Sequence, residues 1–161
     1  MHQRDHSIGV IDLATRRMLR SFDGVELGGF AAEGRELLLM RDHATFERRS
    51  LVDGQLLEAR PLAIPDHRVS RRRLSPGGRW IAWGLEDGRV WAQNLAEPAP
   101  PRELAGHAQM ITVLKFSPDE RRLFTGSLDR TGRVWDLEAG REWKRFDGHQ
   151  MAVASAVLMG A

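Results

Sequence analysis

Two similar stretches of this 161-residue chain stand three periods apart, and that self-similarity restricts the fold more than any single residue does. Val10-Ile11-Asp12-Leu13, continuing into Met18 to Gly24, aligns with Val134-Trp135-Asp136-Leu137 and Glu142 to Gly148 at a constant offset of 124 residues. Three equal steps give about 41 residues per unit, the length of a small four-stranded repeat. Leu13, Leu51, Leu95 and Leu137 mark the same point in successive units, with steps of 38, 44 and 42. The short first step reflects an opening segment, Gly24 to Phe30, that is shorter than Gly106 to Phe116. The long second step is a loop around Pro61 and Pro65, and such length changes belong in loops.

Within a unit, alternation and turn chemistry predict strands. In the best-formed copy, Ile111 to Phe116 alternates apolar and polar residues, and Ser117-Pro118-Asp119-Glu120 is a tight turn with proline preset for its second position. Strands follow over Leu123 to Gly126, Arg133 to Asp136 and Glu142 to Phe146, with a turn from Asp129 to Gly132. Trp80 to Gly84 and Val90 to Asn94 repeat the grammar, as do Glu36 to Met40 and Thr45 to Ser50, and helical periodicity is nowhere sustained. The expected organisation is all-β: a half unit at 8–22, full units at 27–60, 69–104 and 111–146, and the first strand of another at 152–158.

Five fixed points punctuate the best copy in order. They are Leu-Ala-Gly-His at 104–107, Phe-Ser-Pro-Asp at 116–119, Thr-Gly-Ser-Leu-Asp at 125–129, Val-Trp-Asp at 134–136, and a second Gly-His at 148–149, 42 residues after the first. This series resembles one repeat of the WD-repeat β-propeller family. The resemblance implies a partial β-propeller of about three complete four-stranded antiparallel blades, with partial blades at each end. It also implies a buried structural tetrad of His107, Thr125, Asp129 and Trp135, which by the matching positions would fix the turns of the blade. The other copies depart from the pattern: Trp83 stands at the threonine position, Gln93-Asn94 and Arg49-Ser50 replace Trp-Asp, and Pro65 stands where the opening histidine belongs. Those blades are expected to hold by packing without the tetrad.

Other groupings invite chemistry. His107, Asp129 and a hydroxyl from Thr125 or Ser127 are the residue types of a catalytic triad, but no feature supplies an exposed nucleophile or an oxyanion site, so the structural reading is preferred. Asp5-His6, Asp42-His43 and Asp66-His67 supply metal-ligand types without clustered spacing, and read as solvated turns. Arg71-Arg72-Arg73 is the densest basic run. Interleaved aromatics for stacking on nucleic acid are missing, and Arg72 aligns with core-facing Leu114. The five tryptophans read as packing between blades. No metal and no cofactor is expected.

With 24 Lys plus Arg against 22 Asp plus Glu, bulk charge gives no nucleic-acid footprint. The absence of cysteine removes disulfides and thiolate chemistry. No segment reads as a signal peptide or a membrane span, so a cytoplasmic protein without membrane contact is expected. At this length fewer than four units fit, and a fragment of a larger propeller is expected, its open ends covered by remaining blades or by self-association. The resemblance implies a non-enzymatic protein-interaction scaffold. The candidate partner-binding loop residues are Arg68, Glu86, Ala108, Gln109, Met110 and Arg130. The alternative is a regulatory or sensor propeller attached to a kinase- or protease-type domain outside this chain.

Overall fold

The computed structural model describes residues 7–31, 34–41, 44–63, 68–97 and 99–148. Its strands are β1 (Ser7–Asp12), β2 (Arg17–Asp23), β3 (Val25–Ala31), β4 (Glu36–Arg41), β5 (Thr45–Ser50), β6 (Leu56–Pro61), β7 (Val69–Leu74), β8 (Trp80–Leu85), β9 (Val90–Asn94), β10 (Arg102–Leu104), β11 (Ile111–Phe116), β12 (Arg122–Ser127), β13 (Gly132–Asp136) and β14 (Arg141–Phe146). There is no helix among the described residues, and every strand pairing is antiparallel. β1 and β2 form a two-stranded sheet, and the other strands form three four-stranded meanders in chain order. This is the all-β, blade-by-blade architecture that the repeat implies. The stretch at 152–158, His149 and the three Asp-His pairs lie outside the described residues.

The repeat is visible in its irregularities. The first and second strands of each four-stranded sheet slip register at one step, Val25/Leu27, Val69/Arg71 and Ile111/Val113. The third and fourth strands slip at Arg48/Arg49 and Val134/Trp135, and the β1–β2 hairpin slips at Val10/Ile11. That hairpin is therefore built like the outer half of the complete sheets, since a bulge fixes both register and twist.

The chain divides into two compact units, residues 1–63 and 64–161. In the first, Val10 and Phe22 of the hairpin pack with Val25, Leu37 and Leu39 of the β3–β6 sheet, flanked by Ile8 and Leu51. Leu38 and Met40, on the opposite face of β4, are buried too. A strand covered on both faces reads as a continuous apolar run rather than an alternation, which is why Glu36 to Arg41 spells four apolar residues in succession.

In the second unit, Trp80, Ala82, Val90, Ala92 and Leu104 of the β7–β10 sheet meet Ile111, Leu114, Leu123, Trp135 and Leu137 of the β11–β14 sheet. A Cβ on Gly84 would lie 2.6 Å from Ile111 Cβ, so glycine lets the two sheets touch there. The Ser70 hydroxyl lies 2.9 Å from Gly84 O and 2.8 Å from Ile111 O, and Arg71 Nε donates to Thr112 O at 3.0 Å. These contacts join the innermost strands of the two sheets. The first turns of both sheets are alike: Gly78 N–H donates to Ser75 O and Glu120 N–H to Ser117 O, each at 3.0 Å.

Arg72 faces Trp83 across the β7–β8 ladder and is half-buried, at the register position of buried Leu114. The tryptophans divide. Trp80, Trp83 and Trp135 are buried, as packing between sheets requires, whereas Trp143 is 60% exposed. It sits on β14, the outermost strand, beneath the Arg122 guanidinium at 4.6 Å from the ring centroid. The expectation of uniform tryptophan packing fails there: all six residues of β14 are exposed.

Candidate functional site

Two loops of the β11–β14 sheet meet over its inner end: the segment 105–110 that leads into β11, and the β12–β13 turn, 128–131. The turn is tight. Arg130 N–H donates to Ser127 O, Ser127 N–H donates to Thr131 O, each at 3.3 Å, and Arg130 takes the left-handed φ of 66° that closes it. The β8–β9 turn is built the same way, with Gly88 at φ 95° in the place of Arg130.

The structure brings His107, Thr125, Asp129 and Trp135 together beneath these loops. Trp135 Nε1–H is a donor only, so Thr125 Oγ1 accepts it at 2.8 Å. The single Thr125 hydroxyl proton is then directed to His107 Nε2, 2.7 Å away. His107 Nδ1–H donates to Asp129 Oδ2 at 2.8 Å, with Thr131 Oγ1 3.1 Å from the same nitrogen. Asp129 also accepts from Ala108 N–H at 3.0 Å, from Thr131 N–H at 2.8 Å and from the Thr131 hydroxyl at 2.7 Å. Every donor has an acceptor and the proton direction runs one way along the chain, which is what a buried polar network needs if it is to stabilise.

The charge state follows from burial. Desolvation pushes the His107 pKa down; the Asp129 hydrogen bond and charge push it up but do not overcome burial, so the ring is held neutral. Burial works the other way on Asp129, yet the hydrogen bonds from Thr131, Ala108 and His107 outweigh it and hold the carboxyl well below its ordinary range. The site is a neutral imidazole on a carboxylate.

The order hydroxyl, imidazole, carboxylate is that of a hydrolytic triad. Thr125, however, is fully buried, and its oxygen is already shared between the Trp135 and His107 nitrogens. An oxygen with no access to solvent has no substrate to attack, so the geometry locks loops rather than activating a nucleophile.

What it locks is the loop pair. Besides the Asp129 bonds, the Ser127 hydroxyl donates to Gln109 O at 2.7 Å and Leu128 N–H to Met110 O at 3.0 Å. Gly106 is glycine because a Cβ there would lie 3.1 Å from Trp135 Cη2. Gly88 of the neighbouring sheet fits beneath the 107–109 backbone, where a Cβ would come within 2.8 Å of His107 O and 2.9 Å of Gln109 N. Ala108, Gln109 and Arg130 stand exposed on this support, and Met110 is partly covered. Arg68 and Glu86 hold the matching positions on the β7–β10 sheet, where Glu86 N–H donates to Arg68 O at 3.0 Å and their side chains approach to 3.8 Å.

The other sheets use different bonds at the tetrad positions. Asp87, the counterpart of Asp129, takes the Arg89 guanidinium of its own turn at 2.6 and 2.8 Å. Gln93 Nε2 donates to Ala99 O at 3.0 Å, and Trp83 fills the threonine position with its indole N–H unpaired among the described residues. Arg49 bonds Glu47 at 2.8 Å and Gly54 O at 3.2 Å.

Two features escape a reading of the motifs alone. Thr131 is one: its hydroxyl completes the Asp129 shell, and the Asp-x-Thr spacing of the turn is the signal for it. The second is an arginine clasp. Arg20 on β2 donates to Leu51 O at 3.4 Å and Val52 O at 2.6 Å, and Arg102 on β10 donates to Leu137 O at 3.3 Å and Glu138 O at 2.9 Å. Arg20, Arg60, Arg102 and Lys144 recur at steps of 40, 42 and 42, a periodic basic position that the sequence displays.

Residues 99–136 match the family model described as "WD domain, G-beta repeat". The chain is 34% identical over 74 residues to Protein groucho of Drosophila melanogaster, covering 46% of this chain and 10% of that protein. It is 35% identical over 83 residues to the guanine nucleotide-binding protein subunit beta of Schizosaccharomyces pombe, covering 51% of this chain and 27% of that one. Over 72 residues it is 32% identical to the U3 small nucleolar RNA-associated protein 15 homolog of Xenopus tropicalis, covering 45% of this chain and 14% of that protein. The chain thus spans about a quarter or less of the length of these relatives. Among solved structures it resembles a chain in a crystal structure of the mitotic checkpoint complex, with a TM-score of 0.65 and 16% identity, over 93% of this chain and 47% of that one. The last likeness is one of fold.

Proposed function

We propose that this chain, which matches the WD-repeat family model over residues 99–136, works as a non-catalytic protein-interaction scaffold whose contact surface is the pair of loops at 106–110 and 128–131. The observation that carries this reading is the use of the buried network. It spends a histidine, a threonine, a tryptophan and an aspartate on holding two surface loops in one conformation, with Ala108, Gln109 and Arg130 outermost. A loop held rigid before binding loses little conformational entropy on complex formation. Arg68 and Glu86 extend the same surface onto the neighbouring sheet.

The test is site-specific. A photo-crosslinking residue at Gln109 or Arg130 of the full chain captures a partner, and the same residue at exposed Arg121 is the control. The purified partner is then titrated against the Gln109→Ala/Arg130→Ala double variant. An affinity loss of about tenfold or more is expected if these residues anchor the contact. Equal capture from Arg121, or unchanged affinity, overturns the assignment.

A further inference from the structure

In each complete sheet the leucine that follows the third strand is tied to the second. Leu51 N–H donates to Arg35 O at 2.9 Å, Leu95 N–H to Arg79 O at 2.7 Å and Leu137 N–H to Arg121 O at 3.1 Å. The acceptor belongs to an arginine every time, and the residue two places after it is a buried aliphatic: Leu37, Ile81 and Leu123. Leu13 holds the same place after β1, but β1 pairs with β2 alone among the described residues, so no second strand offers it a carbonyl. The side chains differ accordingly. Leu13 is 90% exposed where Leu137 is 1%, and Ile11 is 53% exposed where Trp135, at the matching step after the bulge, is 2%. Asp12 shows the same gap. Like Asp136 it caps its own turn and faces an arginine across the hairpin, Arg17 in the one case and Arg141 in the other. Asp136 also takes Arg122 Nη1 from the second strand at 2.7 Å, whereas no arginine forms an ion pair with Asp12 among the described residues.

We propose that the inner edge of β1 is a strand-addition site that takes one extended segment of a partner protein, antiparallel to Ser7–Asp12 and opening with an arginine, a second basic residue and an aliphatic one in that order. In the register of the complete sheets, the first carbonyl takes Leu13 N–H, the second side chain meets Asp12, and the aliphatic side chain stands opposite Ile11, as Leu123 stands opposite Trp135. An unpaired strand edge presents backbone donors and acceptors that a further strand satisfies, and alternate side chains decide which segment is accepted. The fourth strands β6, β10 and β14 lie at the rims of their sheets, whereas β1 matches the third strands, which have a neighbour on both sides in every complete sheet. The site is independent of the loops at 106–110 and 128–131.

Nuclear magnetic resonance of the full isotope-labelled chain, titrated with the peptide Arg-Arg-Leu-Phe-Thr-Gly-Ser that copies residues 121–127, tests it. Saturable shifts and slowed amide exchange are expected at Leu13 and along β1, with the Gln109 amide unmoved. Asp12→Asn keeps the turn cap and removes the charge, and Ile11→Thr keeps a strand-favouring branch. Each should weaken binding about threefold or more, as should glutamate in place of the peptide's second arginine. Absence of saturable shifts overturns the proposal, as do shifts confined to the outer strands β6 and β14, or an affinity indifferent to Asp12→Asn, to Ile11→Thr or to the peptide's charge. Protection of the same amides that grows with protein concentration in the absence of peptide gives the edge to a second copy, and overturns it equally.

Discussion

Arg102 donates a hydrogen bond from Nη1 to the carbonyl oxygen of Glu138 at 2.9 Å, clasping the outermost strand of one sheet to the turn that follows the third strand of the next. Arg20 makes the same bond to Val52 O at 2.6 Å. In both places a glycine of left-handed φ lies under the arginine, Gly140 at 64° and Gly54 at 78°, leaving room for the guanidinium stem. The sheets of each unit are therefore fastened at the rim as well as through their apolar cores.

Arg102→Met keeps the aliphatic stem and removes the donors. Its expected cost is about 1 kcal/mol, since the acceptors regain water once the clasp opens. Urea unfolding with an unchanged m-value checks this; an unaltered midpoint shows that the clasp contributes nothing to stability.

Asp129→Ala leaves His107 Nδ1–H, Ala108 N–H and Thr131 without their shared acceptor. Destabilisation of about 1–3 kcal/mol is expected from unsatisfied buried groups. Faster amide hydrogen exchange at Ala108 and Thr131 should accompany it, because those loops lose their tie. Unchanged exchange there would show that the loops are held by other bonds.

Acid should weaken the fold in two stages. The folded pKa of both His107 and Asp129 lies below the unfolded value, so on acidification the unfolded chain takes up protons that the folded chain resists. The His107 contribution is complete above about pH 6.5 and declines as pH falls below it; the Asp129 contribution begins to decline near about pH 4. Stability measured by denaturant at a series of pH values should rise with pH across both intervals. His107→Gln should flatten the upper one, and an unflattened profile would assign that interval to another group.

Gly88→Ala should be costly although the residue lies in an exposed type of turn. It forces a Cβ into left-handed backbone and against His107 O at 2.8 Å. More than about 1 kcal/mol of lost stability is expected. Gly34→Ala is the informative comparison: φ is 83° there too, but a Cβ would meet no atom of the described residues within 4 Å, so the backbone part of the cost dominates.

The sequence made the tetrad legible because one repeat carries all of its members in order, and the all-β class because turns recur at fixed spacing. Thr131 and the arginine clasp are less legible, since a threonine in a turn and a basic residue on an outer strand look like ordinary surface until they are compared across repeats. Trp143 misleads for the converse reason: its residue type suggests a core position, but it lies on a strand whose six residues are all exposed. Arg72 shows the limit of alignment. It shares its register position with Leu114, yet it faces Trp83 where Leu114 faces Thr125, so the two strands meet different neighbours.

Ile111 rests where Gly84 lacks a side chain, a plug in a socket cut by a single hydrogen atom. Sheets mated this way are not interchangeable parts. A sheet carrying a bulkier residue at the Gly84 position could not accept the branched side chain, and a smaller residue at the Ile111 position would leave the socket empty. The neighbour relation of the two sheets is thereby written into a pair of residues 27 positions apart, and a chimera assembled from shuffled repeats would keep its order only where both halves of the joint travelled together.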